Sequence, residues 1–269
     1  MAIKPSFMGS LTAAGLTLPV YSMSASLQTK PEFYDHTVGL LDTGYTGGGS
    51  KGPGSTVNRQ KGIYRWGPKL GVGSASGPCS EAGIGALLDA AINGTSIAVD
   101  FAYGTGITQN ISNAKVSKFS LDVKAGDVAN WTAEFTGDDF ATGSEPTSSR
   151  CQKLVTWDVC SITSPAEGDD VAGFSLSVSN PILPIYVSGS DDLFPTAVRI
   201  GMQEVTGTIS TYALPTWNQT EGFSSVVFGI GDESWTAKVI FNPPKAAGAA
   251  GSPFISTTEF VGASDTTVF

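Results

Sequence analysis

Few side chains in this sequence carry the chemistry of an active site, and their spacing decides what they can do. One histidine, His36, stands in the run Tyr-Asp-His-Thr. A Ser-His-Asp site needs that imidazole as the base beside an activated serine, and no G-x-S-x-G elbow occurs anywhere in the chain. Cys79, Cys151 and Cys160 form an odd, sparse set without C-x-x-C spacing. With one histidine they supply no zinc ligand set, and they read as inert thiols folded in a reducing compartment. Three carboxylate pairs, Asp138-Asp139, Asp169-Asp170 and Asp191-Asp192, have the residue types of a glycosidase pair or a Ca²⁺ site. Each pair falls where a turn is expected, and carboxylates that accept local backbone N–H bonds account for it. Lys51 lies among glycines in DTGYTGGGSKGPG, but the GxxxxGK[ST] spacing of a phosphate loop is missing. No catalytic, cofactor-binding or metal-ligating residue is assigned, and the expectation is that the protein is not an enzyme.

The composition points instead to sheets and self-contact. Only 14% of the 269 residues are charged, against about 25% in an ordinary soluble domain, and 33 are glycine. Short strands, tight turns and surfaces covered by copies of the same chain all suit such a composition, because interface cores are poor in charge. Net charge is −9, and the 15 Lys and Arg are scattered singly, so the basic patch that grips phosphate is missing. The stretch Phe7–Ser26 is broken by Ser, Thr, Gly and Pro, which argues against a signal peptide, and no segment approaches a spanning helix. Sequons at Asn93, Asn110, Asn130 and Asn218 read as accidents of a Ser/Thr-rich chain.

The elements that must position these residues are mostly strands. Early alternation over Leu16–Leu27 predicts a strand, and Gly62–Val72 a strand pair carrying Tyr64 and Trp66. One helix is predicted over about 80–92: Ser80 offers an N-cap, Ile84, Leu87, Leu88 and Ala91 fall at helical spacing, and Asn93-Gly94 stops it. Ile97, Val99 and Phe101 share a strand face over Ser96–Tyr103. In a hairpin over Val116–Thr136, Phe119, Leu121 and Val123 alternate with Ser120, Asp122 and Lys124, and Trp131, Ala133 and Phe135 with Thr132, Glu134 and Thr136. A strand over Lys153–Ile162 is expected to carry Val155, Trp157 and Val159 on one side. Strands end the chain at Trp235–Phe241 and Phe254–Val261. Trp66, Trp131, Trp157 and Trp235 fall on apolar faces and read as core rather than as a sugar-binding groove.

The most patterned stretch is Val171–Tyr212. Phe174, Leu176 and Val178 alternate with Ser175, Ser177 and Ser179 before Asn180-Pro181 ends the strand. A short strand over Pro184–Ser188, a turn and Phe194-Pro195-Thr196 lead to EVTGTISTY, where Val205 and Ile209 flank Gly207 on one face and Thr206, Thr208 and Ser210 form the other. The segment FSLDV at Phe119 is echoed by FSLSV at Phe174, and the same separation relates Trp131 to Tyr186. A weak internal duplication of about 97–140 and 153–212 is read from this.

The order of FSLSVSN strand, turn, LFPT corner and EVTGTISTY resembles phage tail tube proteins, also called major tail proteins, most clearly over Lys153–Tyr212. The resemblance implies a mainly β fold, sandwich- or barrel-like, as a single tail tube domain over 1–269. One helix flanks it and a long Gly-rich arm protrudes over about 33–62. It implies a homo-oligomer of hexameric rings stacked into a hollow tube, with the arm residues Asp42, Tyr45 and Lys51 contacting the next ring. Asp122, Lys124, Glu134, Thr206 and Thr208 become candidates to face the lumen. Other tail proteins (tape measure, tail terminator, baseplate or tip, and sheath) are the implied partners, DNA passes through without specific binding, and no cofactor or membrane is involved. The virion tail is the implied location, after synthesis in the host cytoplasm. Two other classes compete: a secreted β-sandwich carbohydrate-binding or adhesin module, and a polysaccharide-degrading enzyme. Only the tube reading requires assembly into long hollow rods.

Overall fold

A computed structural model describes residues 10–34, 63–80, 83–103, 107–142, 153–164, 171–187, 193–213, 224–248 and 253–262. The strands in chain order are β1 (Ser10–Ala13), β2 (Leu16–Leu18), β3 (Ser22–Tyr34), β4 (Ile63–Pro78), β5 (Ile97–Ala102), β6 (Thr108–Lys124), β7 (Asn130–Gly137), β8 (Ala141–Thr142) and β9 (Cys160–Ser164). They continue with β10 (Val171–Ser179), β11 (Ile182–Ile185), β12 (Ala197–Ile200), β13 (Glu204–Thr211), β14 (Ser224–Ile230), β15 (Glu233–Phe241), β16 (Lys245–Ala247) and β17 (Ile255–Gly262). Among the described residues one α-helix, α1 (Ile84–Asn93), sits between β4 and β5. The fold is mainly β with one flanking helix, as the alternation and the helical spacing require.

Among the described residues fifteen strands form one antiparallel sheet that folds back on itself, and β11 and β12 form a separate two-stranded sheet. Its central path runs β3–β4–β7–β6–β10–β13–β17 and continues through β15 and β14 to β9. Strand β6 turns the corner between layers. Residues up to Ala114 pair with β5, and residues from Lys115 onward pair with β7. Asn113, in the left-handed region at φ 48°, and a bulge between Val116 and Lys118 mark the change; strands that switch sheets do so at such irregularities.

The period-two apolar positions meet in one core. Phe119, Leu121 and Val123 of β6, Trp131, Ala133 and Phe135 of β7, and Phe174, Leu176 and Val178 of β10 are all buried. The folded-over layer supplies Phe228, whose ring lies 5.5 Å from Phe174 and 5.8 Å from Phe260, while Phe101 of β5 meets Phe135 edge-on at 6.0 Å. Such aromatic pairs add about 0.5–1.5 kcal/mol beyond their area. Leu87, Leu88 and Ala91 close the core from α1.

Several local expectations change. Leu16–Leu27 is not one strand, because Pro19 separates β2 from β3. Ile63–Val72 belongs to one strand, β4, which pairs with β3 across the segment between Tyr34 and Ile63 instead of forming a strand pair by itself. The helix begins at Ile84, and its N-cap is Gly83 without a side-chain bond. Ser80 is buried; its carbonyl, not its hydroxyl, accepts from the Gly83 and Ile84 amides. Gly94 ends the helix in the left-handed region, as Asn93-Gly94 predicts. Over Lys153–Ile162 only β9 is regular strand; Trp157–Val159 is a 3-10 turn that leaves Trp157 half-exposed, so this indole is not core. The short strand expected at Pro184–Ser188 lies earlier, at Ile182–Ile185, and β14 had no expectation attached to it.

The two FSLxV segments are spatial neighbours. They pair antiparallel with Leu121 opposite Leu176, Phe119 opposite Val178 and Val123 opposite Phe174. That arrangement has a local two-fold through the leucines. Trp131 and Tyr186, at the same sequence separation, differ: the first is buried in β7 and the second is exposed beyond β11.

Candidate functional site

Because side chains alternate along a strand, burying one face of β6, β7, β10 and β13 turns the other face outward. The pairing register then places the outward residues in rows. One row runs Ser22, Ser76, Thr132, Ser120, Ser177 and Thr206 across six strands. The next row toward the β6–β7 turn carries Asn130, Asp122, Ser175, Thr208 and Glu259. On the other side the row is Ser24, Ser74, Glu134, Lys118, Ser179 and Glu204. Asp122, Lys124, Glu134, Thr206 and Thr208 therefore share one continuous face, brought together from three strands.

Hydroxyls dominate this face and bond to one another across strands. Ser22 and Ser76 lie 2.8 Å apart, Ser24 and Ser74 2.9 Å, Ser175 and Thr208 2.8 Å, and Ser210 and Thr257 3.2 Å. Cross-strand hydroxyl pairs of this type each contribute about 0.2–1 kcal/mol. The charges come with partners. Lys124 Nζ lies 2.9 Å from Asp122 Oδ2, and the hydrogen bond and charge of that carboxylate raise the lysine pKa. Lys118 stands directly opposite Glu134 in the register. Lys245 donates to Glu259 at 2.6 Å, holding that carboxyl below its ordinary value. Exposed pairs of this kind stabilise little, because water and salt screen them, but they cancel charge locally. The face carries Asp122, Glu134, Glu204 and Glu259 against Lys118, Lys124 and Lys245, so it is close to balanced rather than strongly acidic.

A glycine explains how β17 closes against this sheet. Gly207 of β13 lies opposite Phe260, and a Cβ built on it would come 2.1 Å from the Phe260 ring and 2.3 Å from the Ser175 carbonyl oxygen. The small residue between Val205 and Ile209 is the seat of that ring.

Side chains weighed for chemistry are placed as follows. Cys79 is buried, and burial drives its thiol pKa far up; Cys160 is half-buried and pushed up to about 11, chiefly by burial with the Asp158 charge adding to it. Both are poor thiolates at neutral pH. Asp138 accepts from Asn113 at 3.4 Å and Asp139 from the Phe140 amide at 2.7 Å, which is turn chemistry. Among the described residues no three His, Cys, Asp or Glu side chains converge as metal ligands, and no helix is long and apolar enough to cross a membrane. His36, Cys151, Asp169, Asp170, Asp191 and Asp192, and the arm residues Asp42, Tyr45 and Lys51, lie outside the described residues.

The model of the phage tail tube protein family matches residues 65–262, from the third residue of β4 to the end of β17, and so takes in every strand of the polar face except β3. The chain belongs to the phage tail tube protein family. No curated protein matches it. Family membership makes this a structural component of the tail, with assembly as its work and the virion tail as its place.

Sequence reasoning missed one group of residues in this tail tube protein. Asn180, read as a strand stop, is buried and donates its side-chain amide to the carbonyls of Ala91 at 2.8 Å and Val116 at 2.9 Å. Gln203 donates to Ala91 and Ile92 at 3.0 and 3.1 Å, and Lys115 to Gly94 at 2.6 Å. The last carbonyls of a helix have no intrahelical donor, so these three side chains cap α1 from strands distant in sequence. The only signal was an Asn before Pro, which turn chemistry explains equally well.

Proposed function

We propose that this tail tube protein self-assembles into hexameric rings that stack into a hollow tube, with the hydroxyl face lining a channel through which DNA is ejected. The observation that carries the reading is the row from Ser22 to Thr206, an unbroken band of hydroxyls across six strands of a sheet whose other side is core. DNA is held by proteins that neutralise its phosphates with Lys and Arg. A hydroxyl wall whose lysines already sit beside carboxylates offers water-like contact and little net attraction. Asp122 and Glu134 supply acid on the wall, with Lys124 and Lys118 moderating it; Thr206 and Thr208 supply hydroxyls.

Open edges favour self-assembly. Among the described residues strand β3 pairs only with β4, and an edge of that length is a template for another chain. The β3–β4 ribbon also runs past the body: β4 pairs with β7 only from Gly71 onward, while its pairing with β3 continues back to Ile63. This ribbon is the base of the expected arm over about 33–62, which in this reading reaches the next ring through Asp42, Tyr45 and Lys51. The whole chain acts as one tail tube domain, with the two FSLxV strands as the remnant of a duplicated unit. Tape measure, terminator, baseplate or tip, and sheath proteins are its partners in the finished tail. Electron microscopy of the concentrated protein tests the reading: hollow rods of uniform diameter are expected, and a protein that remains monomeric under all conditions would end it.

A further inference from the structure

The β3–β4 ribbon has a weak point, and a second element grips it there. Between Thr29↔Lys69 and Pro31↔Trp66 the register slips, so Gly67 and Pro68 of β4 stand against the single Lys30 of β3. Proline cannot donate to a ladder, and one lies on each strand at the slip. On the body side the ribbon is held fast. Strand β4 pairs with β7 from Gly71 inward, and a Cβ built on Gly71 would come 2.4 Å from the Asp139 carbonyl oxygen. Beyond the slip, out to Tyr34 and Ile63, the two strands pair with each other and with no third strand among the described residues. Lys69 lies between these regions. Its N–H donates to the Leu193 carbonyl at 2.9 Å, and its C=O accepts from the Tyr186 hydroxyl at 3.2 Å. The backbone groups on the edge that β7 no longer covers are thus met by residues flanking the β11–β12 pair. Lys69 Nζ also stands 5.5 Å over the Phe194 ring. Leu193 makes its contact from the left-handed region, at φ 64°, where a branched side chain is crowded. The other end of the β11–β12 pair is fixed to the body: Val198 is buried, Ile200 lies against Gly94, and the Gly201 amide donates to the Pro181 carbonyl at 2.8 Å. Between the two attachments a recess of about 480 Å³ opens, lined by Ile182 and Pro184 on one side and Ser24, Ser74 and Glu134 on the other. The pair is a strap from the end of α1 to the weak point of the ribbon.

We infer that the slip at Lys30 and Gly67–Pro68 is a hinge for the outer ribbon, and that Tyr186 and Leu193 form a releasable catch on Lys69 that sets its angle. Leu193 supplies its carbonyl from a strained conformation, so release relieves that strain. The Tyr186 bond is exposed, and water replaces it at little cost. Tight packing at Gly71 stops the movement from spreading into the body. The root of the strap, held by Val198, Ile200 and Gly201, stays in place when the catch opens. Only the use of the hinge rests on the assembly reading above, in which this ribbon carries the arm toward the next ring. The hinge and the catch themselves are properties of the single chain.

The full chain, kept dilute enough to remain single, tests this with two readouts. Amide hydrogen exchange should show Lys69 opening at least about tenfold more often than Gly73 in the β4–β7 ladder, the mark of a local release. Leu193→Gly removes the strain and should raise the protection of the Lys69 amide about fivefold. Leu193→Val and Tyr186→Phe should each lower it, with Gly73 and the thermal melt unchanged. Spin labels carried on p-acetylphenylalanine at Glu32 on the ribbon and Thr236 on the body report the angle as a distance. A single narrow distribution is expected for Leu193→Gly, and a broader one with a second maximum for Leu193→Val. Equal protection of Lys69 and Gly73, or the same distances in every variant, would overturn the inference and leave Tyr186 and Leu193 as fixed packing. Neither readout involves rods, so a wild type that builds none counts against the assembly reading alone.

Discussion

Gln203 donates its side-chain amide to Oδ1 of Asn180 over 3.1 Å, and both residues reach into the last turn of α1. The contact joins the end of β10, the start of β13 and the helix, and it sits where β6 changes layers, because the Asn180 amide also donates to Val116. A buried polar group of this kind costs little while every partner is in place and much when one is removed.

Asn180→Leu is therefore expected to cost about 2–4 kcal/mol, since it removes the side-chain donor from the Val116 carbonyl and one of two from Ala91 in a buried place. The expected result in urea is a lower midpoint with an unchanged slope. An unchanged midpoint would show that the helix end is satisfied without it.

Gly207→Ala tests the seat of Phe260. The added methyl has no room between that ring and the Ser175 carbonyl, and overpacking of this order costs about 1–3 kcal/mol. Phe260→Leu in the same chain should recover part of the loss, because the two positions are cross-strand partners and so do not behave additively. Strictly additive losses would sink the steric account.

The thiols give a pH prediction. The Cys160 thiol, pushed up to about 11, is protonated at neutral pH, and Cys79 is both buried and higher still. The thiolate is the nucleophile. Iodoacetamide at pH 8 should label Cys160 at least tenfold more slowly than free cysteine, with the rate climbing toward pH 11, and should leave Cys79 untouched in the folded protein. Labelling mapped by mass spectrometry decides it; fast modification of Cys160 at pH 7 would contradict the assignment.

These residues also show what was legible in the sequence. Period-two alternation placed β6, β7, β10 and β13, and since one face of each had to be buried, it also placed Asp122, Glu134, Thr206 and Thr208 on the opposite face. The pairing partners were not legible: β3 meets β4 across the long segment between Tyr34 and Ile63, and nothing in either strand names the other. Trp157 was misplaced because an apolar side chain next to Val155 and Val159 looks like core, whereas the chain there tightens into a 3-10 turn and turns the indole out. Asn180 and Gln203 were invisible as caps because the carbonyls they serve belong to a helix far away in the chain.

Deleting Thr43–Ser55 separates folding from stacking. These residues lie between the paired ends of β3 and β4, so the sheet register from Ser22↔Ser76 to Tyr34↔Ile63 does not depend on them. The variant should keep the wild-type circular dichroism and melt but fail to build long rods. Full-length rods from it would remove the arm from the contact between rings.

The charges on the polar face set the last expectation. Asp122 pairs with Lys124 at 2.9 Å and so masks a lysine that would otherwise be open to phosphate, while Glu134 stands opposite Lys118 in the strand register. Asp122→Lys with Glu134→Lys removes two negative charges, adds two positive ones and releases Lys124 from its ion pair, turning a nearly balanced wall basic. Both positions are exposed and away from the core, so tube assembly should be preserved. The effect belongs to the nucleic acid: each phosphate neutralised releases counterions and adds affinity that falls steeply with salt. Virions carrying the double variant should release DNA more slowly at low salt and approach wild-type release as salt rises. A salt-independent defect would point to damaged assembly instead, and normal release at low salt would place this face away from the DNA path.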